Sequence, residues 1–292
     1  MVYRLLAMNI DGTVLQSNGK IDKSVKEAID YVQEKGVTVT LLTGRNFIFA
    51  KRIAKALKLQ SLIVSHHGAF IASTIDQAIF VKRISETVLF DIVQFLESFP
   101  CEIRLIHESF SVGNKPMKGR KIMARAVIDT DSLSVYQYRF VEKLSRSIKE
   151  EQIHPTHVEA KFAEKYQAEE VKTAIEGMFY EVDVKTYGNK MVILPKHISK
   201  LSGLLYIADY WNIPLKETVA IGSGKDDLDV IVASGLGVAM GNAPDEIKGV
   251  ADWVTRTNDN RGIHYMVKEL FRKQQPLPFL EKLSEFHGKE RR

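Results

Sequence analysis

LLAMNIDGT, Leu5 to Thr13, decides how the rest of the chain is read. Tyr3 to Ile10, centred on the unbroken apolar run Leu5 to Met8, reads as a buried strand of a parallel sheet. The run then breaks into an acid and a Gly-Thr turn, Asp11 to Thr13. A carboxylate and turn amides at the carboxyl end of such a strand suit a phosphate or a metal ion. Two residues before Asp11 stands an amide, Asn9, rather than a second acid.

Outward from this stretch, strand and helix patterns alternate. Val25, Ala28, Ile29 and Val32 recur at helical spacing within Asp22 to Lys35, and Gly36 stops that helix. Val37 to Leu42 and Leu62 to Ser65 read as buried strands, with a helix over Asn46 to Leu59 between them. The alternation returns late: a helix over Ser199 to Trp211, a strand at Val219 to Gly222, a helix over Asp226 to Ser234 and a strand at Leu236 to Met240. Short strands separated by helices predict one parallel sheet with right-handed crossovers. The middle, residues 85–194, mixes helices near Val88 to Ser98 and Ala168 to Phe179 with extended segments at Glu102 to His107, Met123 to Ile128 and Met191 to Leu194. It reads as an inserted α+β domain within a core made of residues 1–84 and 195–292. Phe279, Leu280, Leu283 and Phe286 suggest a short amphipathic helix near the end of the chain.

The 292 residues are 45% hydrophobic and 26% charged, a soluble globular composition. No apolar run approaches the roughly 18 residues of a membrane span, and the opening does not read as a secretory signal. The single cysteine, Cys101, cannot close an internal disulfide and fits a cytoplasmic setting. It reads as a buried small hydrophobe. The net charge of +5 is spread along the chain apart from the Lys289 to Arg292 cluster, which does not describe a nucleic-acid binder.

Four stretches fall at strand ends or helix starts: NIDGT, TGR (Thr43 to Arg45), PKHISK (Pro195 to Lys200) and GSGKDD (Gly222 to Asp227). Singly each is weak, since Thr43 also reads as a helix cap and Lys200 as a solvated lysine. In this order, on this pattern, they resemble the haloacid dehalogenase superfamily, specifically its Cof-type sugar-phosphate phosphatases. GLGVAMGNAPDEIKGVADWVT, Gly235 to Thr255, is very like that family's ending. The resemblance covers nearly the whole chain. It implies an α/β fold, a Rossmann-like parallel-sheet core with an inserted α+β cap of the C2 type.

The resemblance also implies roles. Asn9 stands where the family has its aspartate nucleophile, and Asp11 matches the acid that protonates the leaving group. Thr43 matches the hydroxyl that binds phosphoryl oxygens, with Gly44 and Arg45 completing that motif, and Lys200 matches the charge-neutralising lysine. Gly12, Thr13 and Asn242 fall to the phosphate pocket. The Mg²⁺ positions are Asn9, Asp11, Ser223, Asp226 and Asp227; Ser223 replaces an acid and Asp226 an asparagine. His67-Gly68 reads as a turn facing the site, Asp229 as helix surface and Lys225 as solvated.

The departures decide the expectation. An amide is neutral and cannot form the usual aspartyl phosphate, and Mg²⁺ prefers carboxylate oxygens. The expected outcome is a degenerate site with weakened Mg²⁺ binding and little ordinary phosphatase activity that still binds a small phosphorylated metabolite. An active Mg²⁺-dependent phosphomonoesterase acting on sugar phosphates stays open beside it. Substrate choice would lie with the cap, where Arg104, Lys115, Lys118, Arg120, Lys121 and Arg125 are the basic candidates.

Overall fold

Strand β1 (Leu5–Met8) is buried at all four residues because it runs between two parallel neighbours. The computed structural model describes residues 2–74, 77–114, 127–128 and 135–278. After β1 the chain makes a wide turn, enters α1 (Lys23–Glu34) and returns as β2 (Thr38–Leu41), then α2 (Phe47–Ala56) and β3 (Leu62–Ser65). An antiparallel extension follows, β4 (Phe70–Ser73) and β5 (Ala78–Val81).

The inserted domain contains α3 (Glu86–Leu96), β6 (Glu102–Ile106), β7 (Phe110–Asn114), β8 (Val127–Ile128), β9 (Val135–Val141), α4 (Leu144–Glu151), β10 (His157–Lys161), α5 (Lys165–Met178), β11 (Val182–Tyr187) and β12 (Lys190–Pro195). The core resumes with α6 (Lys200–Tyr210), β13 (Thr218–Gly222), α7 (Leu228–Ala233), β14 (Leu236–Ala239), α8 (Asp245–Lys248), β15 (Trp253–Val254) and α9 (Gly262–Phe271).

The core sheet has the order β15-β14-β13-β1-β2, all parallel, and a single bridge from Leu42 to Val64 leads on to β3. Leu5 faces Thr38 on one side and Thr218 on the other. The chain leaves β1 toward β2 and resumes at β13 on its opposite side. The strand order therefore reverses between β1 and β13, and the crevice at their carboxyl ends is where such sheets bind ligands. Helix α1 buries Val25, Ala28, Ile29 and Val32 against the sheet and is capped by Asp22, whose carboxylate accepts from the Ser24 N–H at 2.8 Å.

The cap sheet has the order β11-β12-β10-β6-β7-β9-β8. Alternation along its strands separates two chemistries. Ile103, Leu105, Val158, Ala160, Met191 and Ile193 enter a core with buried residues of α3, α4 and α5. Arg104, Glu159 and Lys190 stand between them on the other face. The cap core draws on residues from Ile84 to Ile193, whereas the main core draws on residues from Leu6 to Ala72 and from Val219 to Phe271.

Several elements depart from the periodicity. The segment read as one helix from Asp226 is a 3₁₀ turn, Lys225–Asp227, followed by α7. Asp226 and Asp227 are held in that turn by the site. Strand β10 escapes a hydrophobicity reading because His157, Glu159 and Lys161 put polar residues at alternate positions. Of Met123 to Ile128 only Val127–Ile128 is described, and it is a strand. Lys115, Lys118, Arg120, Lys121, Arg125, Phe279, Leu280, Leu283, Phe286 and Lys289 to Arg292 lie outside the described residues.

Candidate functional site

The wide turn after β1 positions the first motif. Leu15 N–H closes it on the Ile10 carbonyl at 3.0 Å. Gly12 sits at φ +68°, and a Cβ there would lie 2.7 Å from Ser223 Oγ, so both backbone geometry and space demand glycine. The Gly12 carbonyl accepts from Asn242 Nδ2 at 2.9 Å. Asn242 Oδ1 in turn accepts from the Asn258 N–H at 3.0 Å. Asn242 thus buttresses the turn from behind and does not line the cleft.

Asn9 is buried, and its amide orientation follows from its partners. The Ile10 N–H donates to Oδ1 at 2.7 Å. Nδ2 donates to Asp227 Oδ2 at 2.9 Å and to the Asp11 carbonyl at 3.2 Å. The opposite flip would set an oxygen against two acceptors. At the end of β1 the chain therefore presents an N–H donor to a carboxylate.

Asp227 is saturated. Its Oδ2 accepts from Asn9 Nδ2 and from the Ser223 and Gly224 N–H groups, each at 2.9 Å. Its Oδ1 accepts from Lys200 Nζ at 2.7 Å. Lys200, the first residue of α6, is 3% exposed and also reaches Asp226 Oδ2 at 2.7 Å. Burial opposes its charge, but Asp227 and Asp226 together hold the ammonium above the usual lysine range. Against its own burial, Asp226 is held below the carboxylate range by Lys200, while burial raises Asp227.

Ser223 Oγ donates to the Asp11 carbonyl at 3.0 Å and lies 3.3 Å from Thr13 Oγ1. These contacts test the implied Mg²⁺. A hard cation needs oxygen lone pairs turned toward one point. Here the Asn9 amide nitrogen and the Ser223 hydroxyl already satisfy the Asp11 carbonyl, and Asn9, Lys200 and two backbone amides satisfy Asp227. Among the described residues no group of three His, Cys, Asp or Glu side chains is placed to hold a metal ion. In this arrangement the donor set does not fit a divalent cation. Lys225 turns outward to Glu246 at 2.7 Å and takes no part.

The Asp11 carboxylate faces the cleft and is gripped by Arg45, with Nε to Oδ2 at 2.9 Å and Nη2 to Oδ1 at 2.7 Å. Both side chains are about half exposed. Thr43 is fully buried, and its Oγ1 accepts from the Arg45 N–H at 3.1 Å, which shapes the strand end. The His67 ring lies against Gly44, where a Cβ would come within 2.3 Å of the ring. Burial pushes His67 down to about 4, so the ring is neutral at pH 7; its Nδ1 lies 3.9 Å from Asp226 Oδ2.

Asn9, Asp11, Gly44, Arg45, His67 and Asp226 form the core wall of a cavity of about 460 Å³. Thr43, Lys200 and Asp227 lie buried behind that wall, and Thr13, Ser223 and Asn242 brace the turn. The cap supplies the opposite wall: Arg104, Tyr136, Tyr138, His157, Glu159 and Lys190. Apart from Arg104 these cap residues are invisible to motif reading. For His157 and Glu159 the one signal is the polar alternation of HVEAK in β10. Asp229 is on the helix surface, 55% exposed, and meets Lys185 of the cap at 3.8 Å. Cys101 is buried, with its thiol pushed up to about 12 by burial.

Comparison with known proteins agrees with this fold. The family described as haloacid dehalogenase-like hydrolase matches residues 6–267. The chain is 45% identical to the stress response protein YhaX of Bacillus subtilis, over 99% of both chains. It is 27% identical to the phosphatase YwpJ of the same organism, covering 91% of this chain and 99% of that protein. A solved haloacid dehalogenase-like hydrolase from B. subtilis superposes with a TM-score of 0.78 at 25% identity, covering 91% of this chain and 99% of that one. Phosphatases of this superfamily generally use Mg²⁺. A family match over most of the chain and a full-length relative of this identity place the chain within the haloacid dehalogenase-like hydrolases, among their Cof-type phosphatase-like members.

Proposed function

We propose that the cleft binds the phosphate group of a small phosphorylated metabolite and that the site performs little ordinary phosphomonoester hydrolysis. The observation that carries this reading is the Asn9 amide, whose nitrogen is bound to Asp227 at the place of the nucleophile. A neutral amide offers no anionic oxygen to phosphorus, so the covalent aspartyl step has no starting group. Binding requires less. Arg45 is half exposed and already holds a carboxylate through its planar fork, the geometry that also grips phosphate. An incoming dianion exchanges for Asp11 on that fork, and this exchange needs no cation.

The half-exposed Asp11 carboxylate at the cleft favours a second reading, a phosphomonoesterase in which Asp11 assists water attack. One experiment separates the two. Hydrolysis of an aryl phosphate and of a sugar-phosphate panel is measured with and without Mg²⁺ for the natural protein, Asn9→Asp and the double variant Asn9→Asp, Ser223→Asp. The expected outcome is a natural protein at background and a double variant at least about 100-fold faster with Mg²⁺. That gain is modest beside the roughly 10⁶-fold that removing a nucleophile can cost. Turnover by the natural protein equal to that of the double variant overturns the proposal. In EDTA, orthophosphate and sugar phosphates are expected to raise the melting temperature of the natural protein.

A further inference from the structure

The cap wall of the cleft has its own electrostatic composition. Glu159 and Arg104 are direct cross-strand neighbours on β10 and β6. Lys190 Nζ meets Glu159 Oε1 at 2.7 Å. Burial of Glu159 is overcome chiefly by the Lys190 ammonium, which holds the carboxyl below the usual range and keeps the pair ionised. Lys190 and Glu159 thus cancel each other. The Arg104 guanidinium lies over the Tyr138 ring, 4.9 Å from its centroid. Among the described residues no oxygen accepts a hydrogen bond from that guanidinium.

Stacking on an aromatic ring orients an arginine fork while leaving its N–H edge available. The wall therefore carries one net positive charge, fixed in direction, on the side of the cavity opposite Asp11 and Arg45. Tyr138, Glu159 and Arg45 line the same cavity. A cavity of about 460 Å³ has room for a phosphate and an attached body of several carbons.

We propose that Arg104, oriented by Tyr138, takes a second anionic group of the ligand. The cleft then selects a phosphorylated carboxylic acid or a bisphosphate over a phosphate ester with a neutral body. This rests on the phosphate-binding reading of the core wall given above.

The test is calorimetric titration of the full chain in EDTA with four probes. These are orthophosphate, glycerol 3-phosphate (neutral body), 3-phosphoglycerate (carboxylate) and fructose 1,6-bisphosphate (second phosphate). At least one two-anion probe is expected to bind about tenfold or more tighter than glycerol 3-phosphate, the scale of one charge-assisted bidentate contact. Which of the two holds the advantage identifies the second anion as carboxylate or phosphate. Arg104→Gln is expected to bring that advantage within about twofold and leave glycerol 3-phosphate unchanged; Arg104→Lys, which keeps charge but loses the planar fork, is expected to fall between. The proposal is overturned if glycerol 3-phosphate binds as tightly as both two-anion probes, or if Arg104→Gln weakens every probe equally. Orthophosphate separates the two layers of the argument. If it binds while the two-anion probes gain nothing, Arg104 alone loses its role; if no probe binds, the phosphate reading falls and the Arg104 proposal with it.

Discussion

Asn9 and Asp227 form a buried contact of 2.9 Å that is comfortable only because one partner is an amide. Asn9→Asp sets two carboxylates against each other in that space, where like charges cannot both ionise cheaply. In metal-free buffer at neutral pH the variant is expected to lose about 2–4 kcal/mol, read as a lower melting temperature, and to recover on acidification or on addition of Mg²⁺. A variant as stable as the natural protein in EDTA would contradict the hydrogen-bond assignment. Lys200 makes the complementary case. Lys200→Met leaves Asp226 and Asp227 buried without their cation and is expected to cost about 3–5 kcal/mol by denaturant titration. Combining it with Asp226→Asn should return part of that loss, since one uncompensated charge then goes.

At the scale of elements, the junction after β3 holds the core wall in place. His66, His67 and Gly68 all take positive φ, +52°, +58° and +104°, a run that only surrounding contacts sustain. Gly68 lies beneath the start of α6: a Cβ there would come within 2.1 Å of the Ser199 carbonyl oxygen, and that residue caps the helix carrying Lys200. Gly68→Ala is expected to destabilise by several kcal/mol, because backbone strain and a clash with main chain act together. Gly19 is the internal comparison. It has φ +77° with nothing near its missing Cβ, so Gly19→Ala should cost only about 1 kcal/mol. Equal losses at the two sites, by thermal melts of both variants, would show that the α6 contact does not matter.

For the whole molecule, core and cap meet through a histidine cluster. His157 of the cap packs edge-on against His66 and His67 of the core, with ring centroids 5.6 and 5.4 Å apart. The Phe47 N–H donates to His66 Nε2 at 3.1 Å, so the neutral ring carries its proton on Nδ1 and gives it to Thr156 Oγ1 at 2.9 Å. Burial lowers all three rings, those of His66 and His157 well below the usual value and that of His67 to about 4. The folded state therefore binds these protons less readily than the unfolded chain. Stability is fully present above pH 6.5 and is lost as the pH falls toward 4. At about 1.4 kcal/mol per unit, His67 alone contributes roughly 3 kcal/mol to that loss. Thermal melts between pH 7.5 and 4 are expected to show the decline, with His67→Gln flattening part of it. A melting temperature constant from pH 6.5 to 4.5 would refute neutral histidines at this junction.

The parallel core, the inserted α+β segment, the amide at position 9 and the serine at 223 were legible in the chain itself. Each is a local matter: the spacing of apolar residues, or the identity of a side chain at a strand end. Where those side chains point was decided by contacts between distant parts of the chain. Asn9 finds Asp227 218 positions away, and only there does its nitrogen turn toward a carboxylate. Arg45 reaches Asp11 across 34 positions and places a charged fork over the acid. Arg104 had stood as one of six basic cap residues with no reason to prefer it. The register of β6 against β10 places it beside Glu159, which Lys190 meets, and over the Tyr138 ring; the other five lie outside the described residues. Period and composition report which face of an element is apolar. Which polar face meets which depends on strand order and register, and these are fixed only when the sheets close.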